Sequence, residues 1–320
     1  MSLKLSLCIP TAKRPKILGR LLDNVSKQIL LPDEIIIIDG ARDPSTSAEV
    51  NVRKNNFPKG VLKYYSSDLG LTLQRNVGID NSKSEYICML DDDVLLEPDC
   101  FQNMITFLDS PTGKEYAAVS AFITNNYGRK FFKLERILNK LRVYDGELKP
   151  GRWLYCGEFL QLSTLAPFDG IFDTEFLPAG AAIFRRSVIK KIRPYSNFKF
   201  GGEDKHWTLR ISQKYKIGVL GQAKLIHEHV DIGVRKSKFR QGMISERNLA
   251  IILIECGKSN IIPRYFAFIF YKAFKNLIDT IISLILLQFN TIPILLGRWV
   301  GFIWNLVPPK NTNDNYENKK

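Results

Sequence analysis

Four consecutive isoleucines, from Ile35 to Ile38, are the feature that most restricts how this chain can fold. An unbroken β-branched run is typical of a strand that is buried on both faces, as in a parallel sheet. The run ends at Asp39 and Gly40, and it follows a helical pattern and an earlier strand of alternating leucines that turns at Pro10. The sequence therefore predicts a strand, helix, strand crossover unit.

The same alternation of strand and helix patterns continues along the chain. It predicts an α/β fold with a Rossmann-like, mixed and mainly parallel sheet. Between residues 125 and 175 the apolar pattern is irregular. The predicted elements besides the two strands above are helices at Ile17 to Ile29, Thr72 to Ile79 and Glu203 to Tyr215, and strands at Leu62 to Ser66, Tyr86 to Leu90, Ala179 to Phe184 and Ile217 to Ile226.

Polar side chains follow three of the predicted strands. Thr11 comes after the first strand, Asp39 after the second, and the triplet Asp91, Asp92 and Asp93 after the fourth. Functional groups of open α/β sheets gather beyond the carboxyl ends of the strands, so we expect one shared site at this edge. Adjacent carboxylates repel one another unless a cation or hydrogen-bond donors lie between them. The triplet indicates a Mg²⁺ or Mn²⁺ site that also takes a diphosphate, with an acidic turn as the alternative.

Two further motifs have both a functional and a structural interpretation. Gly201 and Gly202 precede Glu203 and Asp204 at the start of an amphipathic helix. Acids at this position can simply be helix caps, but a glycine pair also lets a ligand approach the backbone, where an acid can act as a general base. Arg75, near the start of another helix, can contact a phosphate or a base, or can lie in solvent.

His227 and His229 lie at the end of the last predicted strand. Alternate side chains of an extended segment point to the same face, so either imidazole can complete a metal site at the sheet edge. The alternative is that both are ordinary surface histidines.

Composition excludes several classes of protein. Hydrophobic residues make up 45% and charged residues 24% of the chain, which argues against wholesale disorder, collagen and a multi-span membrane protein. The five cysteines form no CxxC pair, which excludes a zinc ribbon and predicts reduced, mostly buried thiols. Ile252 stands where a P-loop ending in Gly257, Lys258 and Ser259 needs its first glycine, and no dinucleotide-binding glycines follow the first strand.

Taken in chain order, six motifs resemble those of the family 2 glycosyltransferases, which have the GT-A fold. The resemblance covers roughly residues 3 to 230. It implies an inverting, metal-dependent transfer of a sugar from a nucleotide diphosphate sugar to an acceptor hydroxyl. The motifs are Cys8-Ile9-Pro10-Thr11 with Arg14, Ile38-Asp39-Gly40, Gly70 with Arg75-Asn76-Val77-Gly78, Leu90-Asp91-Asp92-Asp93, Pro178-Ala179-Gly180 leading to Phe184-Arg185-Arg186, and Gly202-Glu203-Asp204.

The resemblance also implies roles for particular residues. Asp204 is implied as the catalytic base, which deprotonates the acceptor hydroxyl. The residues implied for the Mn²⁺ or Mg²⁺ site are Asp91, Asp93, His227 and His229; those for the acceptor are Glu203 and Gly180; and those for the nucleotide-sugar donor are Pro10, Thr11, Arg14, Asp39, Arg75, Asp91 and Asp92.

The sequence departs from the family pattern at two points. A single aspartate precedes Gly40 where two are common, and Lys205 follows the Glu-Asp pair where another acid is frequent. Two alternative functions stay open. A sugar nucleotidyltransferase of related fold would need a glycine-rich loop after the first strand. A catalytically inactive module that binds lipid or nucleic acid would fit the basic, aromatic C-terminal region.

The C-terminal region predicts contact with a membrane. Residues 205 to 320 contain 18 Lys and Arg against 7 Asp and Glu, within a net charge of +14. The 18 uncharged residues between Asp279 and Arg298 are marginal for a bilayer span and are interrupted by polar residues and Pro293. Helices lying in the interface are therefore favoured, with packing on the catalytic domain or a second copy as the alternative. The interfacial residues predicted are Tyr265, Phe266, Phe268, Phe270, Tyr271, Phe274, Trp299, Phe302 and Trp304, with Arg264, Lys272, Lys275 and Arg298 between them.

The predicted organisation is a catalytic domain of residues 1–250, a membrane-associating helical region of residues 251–310 and a disordered tail of residues 311–320. Because the first strand begins near Leu3, we expect no signal peptide and a protein attached peripherally to the cytoplasmic face of the cell membrane. The predicted partners are the nucleotide-sugar donor, a saccharide or lipid-linked acceptor and the membrane surface, but not nucleic acid. Homo-oligomer formation is left open.

Overall fold

The computed structural model describes residues 3–126, 149–196, 198, 201–228, 237–257 and 260–309. Two predictions lie outside these residues, namely the metal-binding role of His229 and the disorder of residues 311–320. The chain divides into two compact units. The sheet unit comprises Met1–Lys130, Leu162–Lys199 and Glu203–Arg235, and the helical unit comprises Phe131–Gln161, Phe200–Gly202 and Lys236–Lys320.

The described part of the sheet unit contains the following elements. Its strands are β1 (Leu5–Thr11), β2 (Glu34–Asp39), β3 (Leu62–Ser66), β4 (Tyr86–Leu90), β5 (Val94–Leu96), β6 (Tyr116–Ile123), β7 (Ile171–Asp173), β8 (Ala181–Arg185) and β9 (Lys216–His227). Its helices are α1 (Pro15–Val25), α2 (Pro44–Val52), α3 (Leu71–Asn81), α4 (Cys100–Asp109), α5 (Arg186–Ile189) and α6 (Glu203–Ser212), and its 3₁₀ turns are Lys54–Asn56, Gly113–Glu115, Thr124–Asn126 and Leu162–Thr164.

All nine strands form one mixed sheet in the order β3-β2-β1-β4-β8-β6-β9-β5, with β7 also paired to β9. The first four strands of this order are parallel, which confirms the predicted crossover unit. In the second half, β8 runs antiparallel to β4 and β6, while β9 is parallel to β6 and antiparallel to β5 and β7. The predicted fold class is therefore confirmed.

The isoleucine run is buried on both faces of the sheet, as its composition predicted. Ile35 and Ile37 pack with residues of α1 and α4 on one face. Ile36 and Ile38 belong to the cluster on the other face, which includes Trp207 of α6. The five cysteines are all free and buried, which also agrees with the sequence.

Several element boundaries differ from the predictions. Helix α1 ends at Val25 instead of continuing to Ile29, whose side chain is 66% exposed. Strand β1 passes through Pro10 to Thr11 instead of turning at the proline. The proline is tolerated because the pairing of β1 with β4 ends at Cys8, so the missing N–H breaks no bond on that side. Elements α2, α4, α5, β5, β6 and β7 were not predicted.

The helical unit contains three long helices in its described residues: α7 (Lys238–Cys256), α8 (Ile261–Ile285) and α9 (Ile292–Asn305), with a 3₁₀ turn at Phe289–Thr291. Helices α7 and α9 pack backbone to backbone through glycines. A Cβ on Gly297 would lie 1.9 Å from the carbonyl oxygen of Phe239, and one on Gly301 would lie 2.6 Å from that of Met243. Only glycine permits this approach.

Polar residues occupy the buried side of α8. Lys272 is 3% exposed and pairs with Glu246 of α7 at 3.2 Å, and Asn276 is 1% exposed. The sequence prediction of an interfacial Lys272 was therefore wrong, and Phe268, Tyr271 and Phe302 are likewise buried. Among the described residues, none of the helices combines the length and the apolarity that a bilayer span requires.

Candidate active site

The aspartate triplet forms the connection between β4, which ends at Leu90, and β5. Pairing of Leu90 with Ala181 of β8 brings Asp91 next to Gly180, and the Asp91 amide donates a hydrogen bond of 2.9 Å to the Gly180 carbonyl. A Cβ on Gly180 would lie 2.1 Å from the Asp91 carboxyl group. The absence of a side chain at residue 180 therefore makes room for this carboxylate.

The side chain of Asp92 points away from solvent and is 1% exposed. It accepts a hydrogen bond of 2.6 Å from the Thr11 hydroxyl, and the Arg14 guanidinium donates to both of its oxygens. Burial raises the pKa of Asp92 to about 6, although Arg14 and Thr11 act to lower it. Asp92 thus ties the end of β1 to the triplet, and its contact with the donor stays a prediction.

Asp93 and His227 come together because Val94 of β5 is paired with His227 at the end of β9. The His227 Nε2 lies 3.0 Å from Asp93 Oδ1, and Arg14 donates to Asp93 Oδ2 at 3.1 Å. Burial acts to raise the pKa of Asp93, but His227 and Arg14 hold it below its usual range. The same pairing raises the pKa of His227 above its ordinary value, against the effect of burial.

Asp91, Asp93 and His227 form a group that can hold a metal ion. One ligand atom from each residue lies within 4.8 Å of the others. Carboxylate oxygens with an imidazole nitrogen suit Mn²⁺, and carboxylate oxygens alone suit Mg²⁺. The side chain of Asp91 is 26% exposed, so the group is open to solvent on that side. The donor set therefore fits the predicted metal.

Asp204 lies in the first turn of α6 and is held by two donors. Arg75 of α3 forms an ion pair with Asp204 Oδ1, and the Ala179 amide donates to Oδ2 at 3.2 Å. The same guanidinium reaches Asp91 Oδ1 at 3.4 Å. The two carboxylates hold the pKa of Arg75 above its usual value despite burial of the side chain, which is 1% exposed.

Arg75 therefore connects the predicted base with a predicted metal ligand. This geometry answers the question that the sequence left open, since the arginine does not lie in solvent. Contact of Arg75 with the donor stays a prediction.

Glu203, the residue before Asp204, has an unusual environment for a carboxylate. Among the described residues, no hydrogen-bond partner reaches its buried Oε2 atom. Burial and the neighbouring Asp204 carboxylate raise the pKa of Glu203 to about 7. A carboxyl group with a free oxygen and a raised pKa can both accept and donate a hydrogen bond at neutral pH.

Asp39 lies beside Thr11, because these residues are paired in the register of β1 and β2. Its carboxylate is fully buried and accepts hydrogen bonds of 2.8 Å from the amides of Ala41 and Asp43 and of 2.9 Å from the Tyr64 hydroxyl. Asp39 thus shapes the loop after β2, and its contact with the nucleotide stays a prediction.

Gln74 is a site residue that the sequence analysis missed. Its side-chain amide donates to the carbonyl oxygens of Thr11 and Ile38 at 2.8 Å each, and so it bridges the ends of β1 and β2. A Cβ on Gly40 would lie 2.9 Å from this amide. The sequence spacing could have indicated this role. Gln74 lies one helical turn before Gly78, and both residues are on the buried side of α3.

A family model described as Glycosyl transferase family 2 matches residues 6–193, which is more than half of the chain. The chain belongs to glycosyl transferase family 2. The resemblance inferred from the six motifs is thereby confirmed, and this glycosyltransferase has the GT-A fold.

Known proteins give this assignment some detail. The glycosyltransferase is 24% identical over 171 residues to the minor teichoic acid biosynthesis protein GgaB of Bacillus subtilis (strain 168). That match covers 52% of this chain but only 16% of GgaB, so the chain spans about a sixth of this relative's length.

Two solved structures show the same fold. The mannosyltransferase PcManGT from Pyrobaculum calidifontis, in complex with GDP-Man and Mn²⁺, has a TM-score of 0.58 at 14% identity, covering 95% of this chain and 88% of that one. S. aureus TarS 1-349 in complex with UDP-GlcNAc has a TM-score of 0.53 at 15% identity, covering 83% and 70%.

Proposed function

We propose that this glycosyltransferase moves a sugar from a nucleotide diphosphate sugar to an acceptor hydroxyl, with inversion and with a divalent metal. The observation that carries the proposal is the convergence of Asp91, Asp93 and His227 at the same sheet edge as Asp204, with Arg75 between Asp91 and Asp204. The family assignment favours a transferase over a nucleotidyltransferase.

Asp91, Asp93 and His227 would hold the metal. A bound Mn²⁺ or Mg²⁺ supplies positive charge that neutralises the leaving nucleoside diphosphate. A nucleotide-sugar donor is supported by the GDP-Man and UDP-GlcNAc complexes of the structural neighbours, one of which also contains Mn²⁺. Thr11, Arg14 and Asp39 shape the adjoining strand ends, where we place the nucleotide.

Asp204 acts as the general base. Arg75 orients this carboxylate through their ion pair, and the Ala179 amide fixes its second oxygen. Each carboxylate oxygen has two lone pairs, so Asp204 can still accept the proton of an acceptor hydroxyl. The hydroxyl then attacks the anomeric carbon opposite the leaving diphosphate, which inverts the configuration without a covalent intermediate on the protein.

Glu203 and Gly180 lie next to this base, and we assign them to binding of the acceptor. We take the acceptor to be a saccharide or a lipid-linked saccharide used in cell-surface polysaccharide assembly, because the relative GgaB is a teichoic acid biosynthesis protein. The reaction is placed at the cytoplasmic face of the cell membrane, to which the basic helical unit attaches the enzyme peripherally.

The test measures release of nucleoside diphosphate from a panel of UDP- and GDP-sugars with Mn²⁺ or Mg²⁺. Asp93→Ala and Asp204→Asn should each lower kcat by about 10²–10⁴-fold, since each removes one group that acts at the reacting atoms. Asp68→Asn is the matched control, because the Asp68 side chain is 82% exposed and pairs with the exposed Arg42. Full activity after either of the first two substitutions would contradict the assigned roles.

A further inference from the structure

Helix α8 turns its apolar side toward solvent. Its apolar residues recur every three or four positions along one face, and together they form what we call the apolar stripe. The stripe consists of Ile262, Phe266, Phe270, Phe274, Leu277, Ile281 and Ile285, which are 38% to 72% exposed.

The exposed apolar surface continues beyond α8. Leu287 and Phe289, in the turn between α8 and α9, are 68% and 63% exposed. On α9, Leu296, Ile303 and Trp304 are 54%, 60% and 53% exposed. So many exposed large apolar side chains on two successive helices are unusual on a protein surface that contacts only water, and they mark a contact with an apolar phase or a partner.

The orientation of α8 is fixed by what it buries. Lys272 pairs with Glu246 of α7 at 3.2 Å and with Glu158 at 3.5 Å, and Asn276 lies on the same buried side. Rotating α8 to bury the apolar stripe would break these ion pairs. The exposure of the stripe is therefore built into the packing of the helical unit.

Helices α8 and α9 are also joined by polar contacts. Arg298 of α9 donates to Asp279 of α8 at 2.8 Å, and the Trp299 indole donates to Thr280 at 3.1 Å. Together with the backbone packing of α7 on α9 through Gly297 and Gly301, these contacts place polar and small residues at the helix interfaces, beside the buried rings of Phe268 and Phe302. Small and hydrogen-bonding residues at helix interfaces are also typical of helices that pack in lipid.

Cationic side chains lie beside the apolar turn. The Lys238 ammonium donates to the carbonyl oxygen of Asn290 at 3.3 Å, and Arg240, two residues later on α7, is also exposed. The described residues of the helical unit from 237 onward contain seven Lys and Arg against three Asp and Glu. This excess of positive charge attracts anionic lipid headgroups, whereas a second copy would bring a surface of like charge against it.

We propose that the apolar stripe, with the α8–α9 turn and the exposed face of α9, lies in the headgroup and acyl boundary of an anionic phospholipid bilayer, with Lys238 and Arg240 at the headgroups. The helices lie in the surface and do not cross it. This membrane contact rests on the proposed function for its location in the cell. It adds which surface of the protein binds and which kind of lipid is bound.

The test uses the full chain without donor or metal, and phosphatidylcholine vesicles with and without phosphatidylglycerol. The protein should sediment with the anionic vesicles. Ile285→Asp combined with Phe270→Asp should lower the partition coefficient at least about tenfold, because charge opposes burial in the boundary. Val52→Asp is the control, since Val52 is 73% exposed on α2 of the sheet unit. This variant should bind vesicles as the unmodified protein does.

Two more measurements test the membrane contact even if the double aspartate variant does not fold. Lys238→Gln and Arg240→Gln should each weaken binding about fivefold, an effect that added salt should remove. In the unmodified protein, brominated lipids should quench tryptophan fluorescence, and Trp304→Phe should remove most of that quenching.

The outcomes separate this proposal from the proposed function. Asp204→Asn should lose sugar transfer and still bind vesicles, while the Ile285→Asp and Phe270→Asp variant should lose vesicle binding and still hydrolyse donor in lipid-free solution. Vesicle binding that these substitutions leave unchanged would overturn the proposal. A lipid-free dimer that Ile285→Asp dissociates would overturn it as well, because a second copy would then cover the stripe.

Discussion

In the sheet unit, the buried charges of Arg75, Asp92 and Asp93 lie at one edge of the sheet. The buried charges of the helical unit are instead enclosed between helices that expose Phe and Ile side chains. Arg75 is surrounded by carboxylates that are 26% and 29% exposed and therefore accessible to a ligand. Lys272 pairs instead with Glu246, and both side chains are only 3% exposed. Buried ion pairs therefore have different roles in the two units. In the sheet unit they position groups that a ligand can reach, and in the helical unit they fix which side of a helix faces inward.

The largest effect that we expect comes from removing the central cation of the sheet unit. Arg75→Met leaves Asp91 and Asp204 beside each other without their shared partner, and should lower the free energy of unfolding by about 3–5 kcal/mol. Urea denaturation measures this loss. Arg42→Met is the matched control, because Arg42 is 66% exposed in its pair with Asp68 and should change stability by less than about 1 kcal/mol. Equal losses of stability after the two substitutions would show that the buried position of Arg75 between the carboxylates has no special effect on stability.

The corresponding change in the helical unit should be reversible by a second substitution. Lys272→Met leaves Glu246 buried without its cation and should cost about 3 kcal/mol, while Lys272→Met with Glu246→Leu should recover most of that loss, because an apolar pair can replace a buried ion pair. Thermal and urea unfolding measure both variants. Donor hydrolysis by the double variant should stay unchanged. A loss of hydrolysis would show that this ion pair also serves the chemistry.

A smaller effect, confined to function, should follow from Gly180→Ala. The new Cβ would displace the Asp91 carboxylate, which lies 2.1 Å from its position. The carboxylate is the end of a side chain, so the free energy of unfolding should change by less than about 1 kcal/mol. Mn²⁺ affinity and kcat should fall about 10–100-fold, because Asp91 would no longer be placed as a ligand. Unchanged Mn²⁺ affinity, measured by calorimetry, would argue against Asp91 as a ligand.

The smallest effect concerns the pH dependence of stability. The pKa of Glu203 is raised from 4.5 to about 7, so between these values the folded protein keeps a proton that the unfolded chain loses. This group therefore makes the free energy of unfolding fall as pH rises from about 4.5 to 7, with a slope of at most about 1.4 kcal/mol per pH unit. Glu203→Gln should flatten that slope in urea titrations of the metal-free protein. Glu115→Gln, at a side chain that is 59% exposed, should leave the slope intact.

The sequence predicted the part of the site that follows from strand direction. Thr11 and Asp39 end adjacent parallel strands, so their pairing follows once the crossover unit is recognised. The contact of His227 with Asp93 could not be predicted in the same way. It depends on the pairing of β9 with β5, and a strand of three residues is too short to be recognised from its pattern.

Arg75 and Gln74 show a second limit of the sequence. Their neighbours in the chain do not reveal that one guanidinium lies between Asp91 and Asp204, or that one amide bridges two strand ends. These contacts join residues that are between 16 and 129 positions apart. Only the packing of α3 and α6 on the same face of the sheet brings them together.

For the helical unit, the sequence determined that aromatic, aliphatic and basic residues alternate along two helices, because that is a property of composition and spacing. It did not determine which side of each helix faces inward. Tertiary structure decided this through the Lys272 ion pairs and the glycine contacts of α9, since burying a charge requires a partner that only another helix supplies. Likewise, the sequence determined a sheet with acids at its edge, and the folded chain decided which of those acids meet.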